Sequence, residues 1–159
     1  MHNSGLAFNM ILQKIRYTPE IRLALEYDFA REQEFCYKGI TLSTIIQHFV
    51  KFISGIWQIH AFREGNTRTT AVFAVKYLRS MGFKVDNKLF LEYSWYFRNA
   101  LVRANYRNVA KGVEPEPEFL VKFFRNLLMG ERNELKNRYL LIKPPQDFTA
   151  SPPKHPPSS

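Results

Sequence analysis

The chain has 159 residues, 45% of them hydrophobic and 15% aromatic, and a formal charge of +9. That is enough apolar material for one core, while no apolar run reaches the ~18 residues that span a bilayer and the start lacks a signal-peptide pattern. The single cysteine, Cys36, excludes an internal disulfide and a cysteine-based metal site and fits a reducing cytoplasm; the 23 Lys and Arg are scattered, which points to anionic nucleotide or an acidic protein partner rather than nucleic acid.

Residues 1–17 lack a helical period; Ile11, Lys14, Ile15 and Tyr17 suit either an extended arm or a frayed terminus. Thr18-Pro19-Glu20 reads as a helix start, with an N-cap, proline at the first helical position and an acid in the first turn. This helix is predicted to reach about residue 34 and to bury Ile21, Leu25 and Phe29. Gly39 and Thr41 predict the next turn and cap. From Leu42, apolar residues at 45, 46, 49, 53, 56 and 57 repeat at helical spacing, and His48 on this helix reads as a packing residue.

The stretch His60-Ala61-Phe62-Arg63-Glu64-Gly65-Asn66-Thr67-Arg68 then interrupts two apolar helices with a base, a carboxylate, a glycine, an amide and a cation. Backbone N–H groups at a helix start are unpaired and attract anions. Gly65 lets that backbone approach a ligand, Asn66 is suited to cap the helix that follows, and Arg68 can reach the same anion. Glu64, as a lone carboxylate, suits Mg²⁺ shared with phosphates and waters. His60 is the side chain best able to take a proton near neutral pH.

The following helix is predicted to bury Ala71, Val72, Val75 and Leu78 and to stop at Gly82. Asp86-Asn87 should cap one long helix to Lys111, with Leu89, Phe90, Tyr93, Phe97, Leu101 and Ala104 inward. Glu114-Pro115-Glu116-Pro117 is a rigid turn before a helix that turns Phe119, Leu120, Phe123, Phe124, Leu127 and Leu128 inward, to Gly130. Residues 131–138 read as a solvated last helix, and from Pro144 a Pro/Ser-rich composition predicts a disordered tail. The fold class is therefore all-α, a bundle of about six helices, divided into 1–17, a helical domain over 18–142, and a tail over 143–159.

The nine-residue stretch resembles the signature of the Fic (filamentation induced by cAMP) family, H-x-F-x-D/E-G-N-G-R-x-x-R. His60, Phe62, Glu64, Gly65, Asn66 and Arg68 match, and the likeness continues through Thr69-Thr70-Ala71-Val72-Phe73 and through residues 95–106, covering roughly 9–142. It departs at two places: the second glycine is Thr67 and the second arginine is Ala71.

The resemblance implies a Fic-like helical bundle with a short β-hairpin flap near the N-terminus, in which Ile11, Lys14 and Ile15 would pair with a target protein. The family's earlier helices have no counterpart here, which implies an N-terminally shortened gene. The resemblance also implies a protein AMP-transferase that uses ATP and Mg²⁺ on a hydroxyl of a target protein. His60 would be the catalytic base, Glu64 the metal ligand, and Gly65, Asn66, Thr67 and Arg68 the anion site. Phe62 would fix the loop, Asn105 and Tyr106 would face the nucleotide, and Arg103 would stand in for the missing charge. Phosphoryl transfer on the same loop, as in the family's Doc branch that also lacks the second arginine, is the alternative; a catalytically idle helical module is another. The family's self-inhibitory pattern, S/T-x-x-x-E-G/N, does not occur in the chain, so restraint would have to come from elsewhere, such as a separate inhibitor protein.

Overall fold

Two threonine hydroxyls set where the first helices begin. Thr18 Oγ1 accepts from the Ile21 N–H at 3.4 Å, and Thr41 Oγ1 from the Thr44 N–H at 3.2 Å. The computed structural model describes residues 18–62 and 64–142, which form an all-α fold with no strand among the described residues. Its helices are α1 (Pro19–Glu34), α2 (Leu42–Gln58), α3 (Asn66–Ser80), α4 (Lys88–Glu92), α5 (Ser94–Asn105) and α6 (Glu118–Met129), with short 3₁₀ turns at Val109–Lys111 and Asn137–Leu140. Residues 1–17 and the tail from 143 lie outside the described residues, and with them the expected flap and disorder.

Helix α2 is the centre of the bundle. It packs against α1, α3, α5 and α6 and contributes the fully buried Ile46, Phe49 and Ile53. Around it runs a web of edge-to-face aromatic contacts, including Phe49–Phe124 at 5.0 Å, Phe90–Phe123 at 4.9 Å and Phe29–Phe73 at 5.6 Å. Such pairs add about 0.5–1.5 kcal/mol each beyond burial.

Three local expectations are corrected. The long helix predicted from Asp86-Asn87 to Lys111 is broken at Tyr93 (φ −114°, ψ 37°), with Ser94, a residue that favours helix ends, opening α5. Beyond Asn105 the chain folds back through an isolated bridge between Asn108 and Val113. Val72 is half exposed, because α3 turns Phe73, Ala74, Tyr77 and Leu78 to the core; Ala71 and Ile21 are only half-buried. The stretch predicted as a last α-helix over 131–138 is irregular to residue 136 and then enters the 3₁₀ turn at Asn137–Leu140. Gly130 (φ 66°) ends α6, the Asn126 and Asn133 amides bond each other's segments, and Leu135 and Leu140 are buried.

One cluster has no signature in the sequence. Glu32, 4% exposed at the end of α1, accepts hydrogen bonds from the hydroxyls of Tyr37 and Tyr77 and pairs with His48 Nε2. His48 is thus a packing residue, stacked on Phe35. The carboxylate joins α1, α2 and α3 and is satisfied on both oxygens, as a buried acid must be.

Burial, and then the Glu32 carboxylate, push the Tyr37 and Tyr77 hydroxyls well above the ordinary phenol range. Folding raises both values, so their stabilisation is complete below the unfolded pKa of ~10 and is lost as pH climbs from there toward the folded values. Wild-type stability in urea should therefore fall above pH ~10. Tyr77→Phe, which removes one donor to Glu32, should cost about 1–3 kcal/mol near neutral pH and flatten that alkaline decline; equilibrium urea melts across pH read both effects.

Candidate active site

The loop between α2 and α3 begins with a backbone turn at His60. Its φ of 49° is the only positive value at a non-glycine among the described residues, and its N–H donates to the Trp57 carbonyl at 3.1 Å. Histidine is among the residues that tolerate this region. The turn leaves the His60 side chain exposed, while Ala61 is buried and Phe62 faces Leu25, Ile56 and Phe73.

Asn66 then closes the loop. Its Oδ1 accepts from the Phe62 N–H at 2.9 Å and its Nδ2 donates to the Phe62 carbonyl at 2.7 Å. This corrects the expected cap: Asn66 is the first residue of α3, and the N-cap is Gly65, at φ 75°, where glycine is unstrained. Gly65 offers no side chain to the first N–H groups, and the first helix bond runs from the Thr69 N–H to the Gly65 carbonyl at 2.9 Å. The amides of the first turn therefore stay available to an anion.

These amides open on a cleft of about 860 Å³. The volume lies within the usual range for small-molecule sites. His60 and residues 64–68 form one end of the lining; Ala71, Val72, Val75, Lys76 and Arg79 form the α3 wall, and Leu91, Ser94, Trp95 and Arg98 line the wall opposite. Arg68, Lys76, Arg79 and Arg98 contribute cations there against one carboxylate, Glu64. Among the described residues Arg68 makes no ion pair.

Glu64 is exposed in this cleft, and no group of three or more His, Cys, Asp or Glu forms a metal cage among the described residues. One carboxylate beside an anion site fits an Mg²⁺ ion that arrives with phosphates and keeps waters.

The structure gathers His60, Glu64, Gly65, Asn66, Thr67 and Arg68 at one end of the cleft. Thr67, where the motif has glycine, accepts from the Trp57 Nε1–H at 3.1 Å, and the Trp57 ring meets the His60 ring edge-on at 4.8 Å. Asn105 and Tyr106 are placed elsewhere. The Asn105 amide donates to the Leu101 and Ser54 carbonyls and lines a separate concavity with Asp28 and His48, while the exposed Tyr106 hydroxyl accepts from Asn108. Arg103 is also turned away, with its guanidinium 6.0 Å from the Phe119 ring centre, and Arg98, one α5 face over, lines the cleft instead. Ile11, Lys14 and Ile15 lie outside the described residues. Sequence reasoning missed Trp57, Arg79 and Arg98. The signal for Arg79 was its spacing of eleven from Arg68, three turns along one helix face.

Fold and loop define an all-α protein with a helix start that no side chain caps and an adjacent exposed histidine. The model of the Fic/DOC family matches residues 6–78, just under half of the chain, a stretch that contains the whole motif loop and ends in α3. This span is shorter than the likeness read from sequence, which extended through residues 95–106. No curated protein and no solved structure matches the chain. That similarity is compatible with a transferase of nucleotide or phosphate groups. No described helix is long and apolar enough to cross a membrane.

Because the Asn66 side chain bonds both the N–H and the carbonyl of Phe62, Asn66→Ala should release the Phe62 amide. Hydrogen exchange at Phe62 should accelerate by roughly 5- to 150-fold, corresponding to about 1–3 kcal/mol of lost local stability, with the core amides of α2 unchanged.

Proposed function

We propose that this protein transfers AMP from ATP to a hydroxyl side chain of a target protein. The observation that carries the reading is one cleft that holds an exposed histidine, a lone carboxylate and an uncapped helix start with Arg68 beside it. His60 accepts the proton of the target hydroxyl as its oxygen attacks the α-phosphorus. A new P–O bond to the target forms, the bond to the β-phosphate oxygen breaks, and pyrophosphate leaves with that electron pair. The first-turn amides and Arg68 hold phosphate oxygens, where preorganised donors stabilise charge that develops in the transition state. Glu64 would hold Mg²⁺, which when bound supplies neutralising charge on the phosphates. The Asn66 side chain acts by bracing the loop, since both ends of its amide are engaged with Phe62.

Arg98 supports AMP transfer without a second motif arginine, because it brings a cation to the same cleft in which Ala71 has none. The setting for this chemistry is the cytoplasm, with the target protein held against the loop and any restraint supplied by a separate inhibitor protein. Ala71 also favours a second reading, transfer of the γ-phosphoryl group, since nothing at position 71 holds the far end of the triphosphate.

ATP labelled at the α- or the γ-phosphate, incubated with Mg²⁺ and a lysate, separates the two. Label carried from the α position supports AMP transfer, and label carried only from the γ position overturns it. His60→Ala should lower the transfer rate ~10²–10⁴-fold with an unchanged circular dichroism spectrum. Arg98→Ala should raise the KM for ATP by roughly 10- to 150-fold, the cost of one charge-assisted contact.

A further inference from the structure

A proton acceptor must be aimed as well as present, and His60 has few means of being aimed. Its side chain is exposed, and among the described residues its ring makes no hydrogen bond. A carboxylate or carbonyl commonly fixes the far nitrogen of such a histidine; here the neighbour is an indole. Trp57 accepts the His60 N–H on its backbone carbonyl at 3.1 Å and sets its ring against the imidazole at 4.8 Å and 65°. The indole is itself held: its Nε1–H donates to Thr67 Oγ1 at 3.1 Å, across from the last turn of α2 to the first turn of α3.

We infer that Trp57 is the positioning residue for His60 and that Thr67 is what locks it, so that the departure from glycine at position 67 is a device of this site. The inference rests on the reading of His60 as the proton acceptor. A glycine at 67 would leave the indole N–H without this acceptor and free the ring to rotate, and the imidazole with it. Misplacement of a reacting group by about 1 Å costs on the order of 10² in rate.

The test uses Thr67→Val, which keeps the size and removes the acceptor, and Thr67→Ser, which keeps the acceptor. The chain has two tryptophans, so two indole N–H signals serve as a readout that needs no activity. In ¹⁵N-labelled protein, Thr67→Val should shift one indole signal and speed its hydrogen exchange, and Thr67→Ser should restore both. In the transfer assay Thr67→Val should lower kcat roughly 10- to 100-fold, with less effect on the KM for ATP, and Thr67→Ser should recover most of the loss. Added to His60→Ala, Thr67→Val should cause no further loss, because its effect passes through the missing imidazole.

An unmoved indole signal, or an equal loss in both backgrounds, overturns the inference while leaving His60 as the base. Full activity in His60→Ala overturns the base assignment itself, and the indole signals then still report whether Thr67 holds Trp57.

Discussion

The site depends on the closure of the Asn66 amide onto the Phe62 peptide. With donor and acceptor both engaged, Asn66 at the start of α3 is tied to both polar groups of the Phe62 backbone. Phe62 is thereby held against the apolar wall of Leu25, Ile56 and Phe73, and His60, two residues earlier, is left on the solvent side. The same closure uses up the side chain that would otherwise cap α3, and Gly65 cannot replace it. A helix start that would ordinarily be satisfied from within is thus kept open to an external anion.

The mount for this tie is stiff for reasons that lie away from it. α2 is surrounded by four helices, and its aromatic contacts hold it from its middle onward. At the far end of α1, Glu32 reaches the tyrosine of α3 and the histidine of α2, so the two helices that flank the loop share one buried carboxylate. Side chains placed on such packed elements hold their geometry better than side chains on a free loop. Charge is organised in the same way. The basic residues that look scattered along the chain include Arg68, Lys76 and Arg79 on α3, and Arg98 answers them across the cleft.

The sequence by itself determined what depends on neighbours along the chain. The caps at Thr18 and Thr41, the glycine stops at Gly82 and Gly130, and the periodic core of α2 all follow from spacing and residue type. Only the tertiary structure decided the rest. That Glu32 is buried depends on Tyr77, 45 residues away, and that Val72 is half exposed depends on which face of α3 best fits Phe29 and Phe52. The break at Tyr93, the turning of Arg103 onto Phe119 and of Arg98 into the cleft, and the bond from Trp57 to Thr67 are of the same kind. Local spacing says that a residue lies on a face; which face meets the core is set by the shape of the partner helices, and no window along the chain contains that shape.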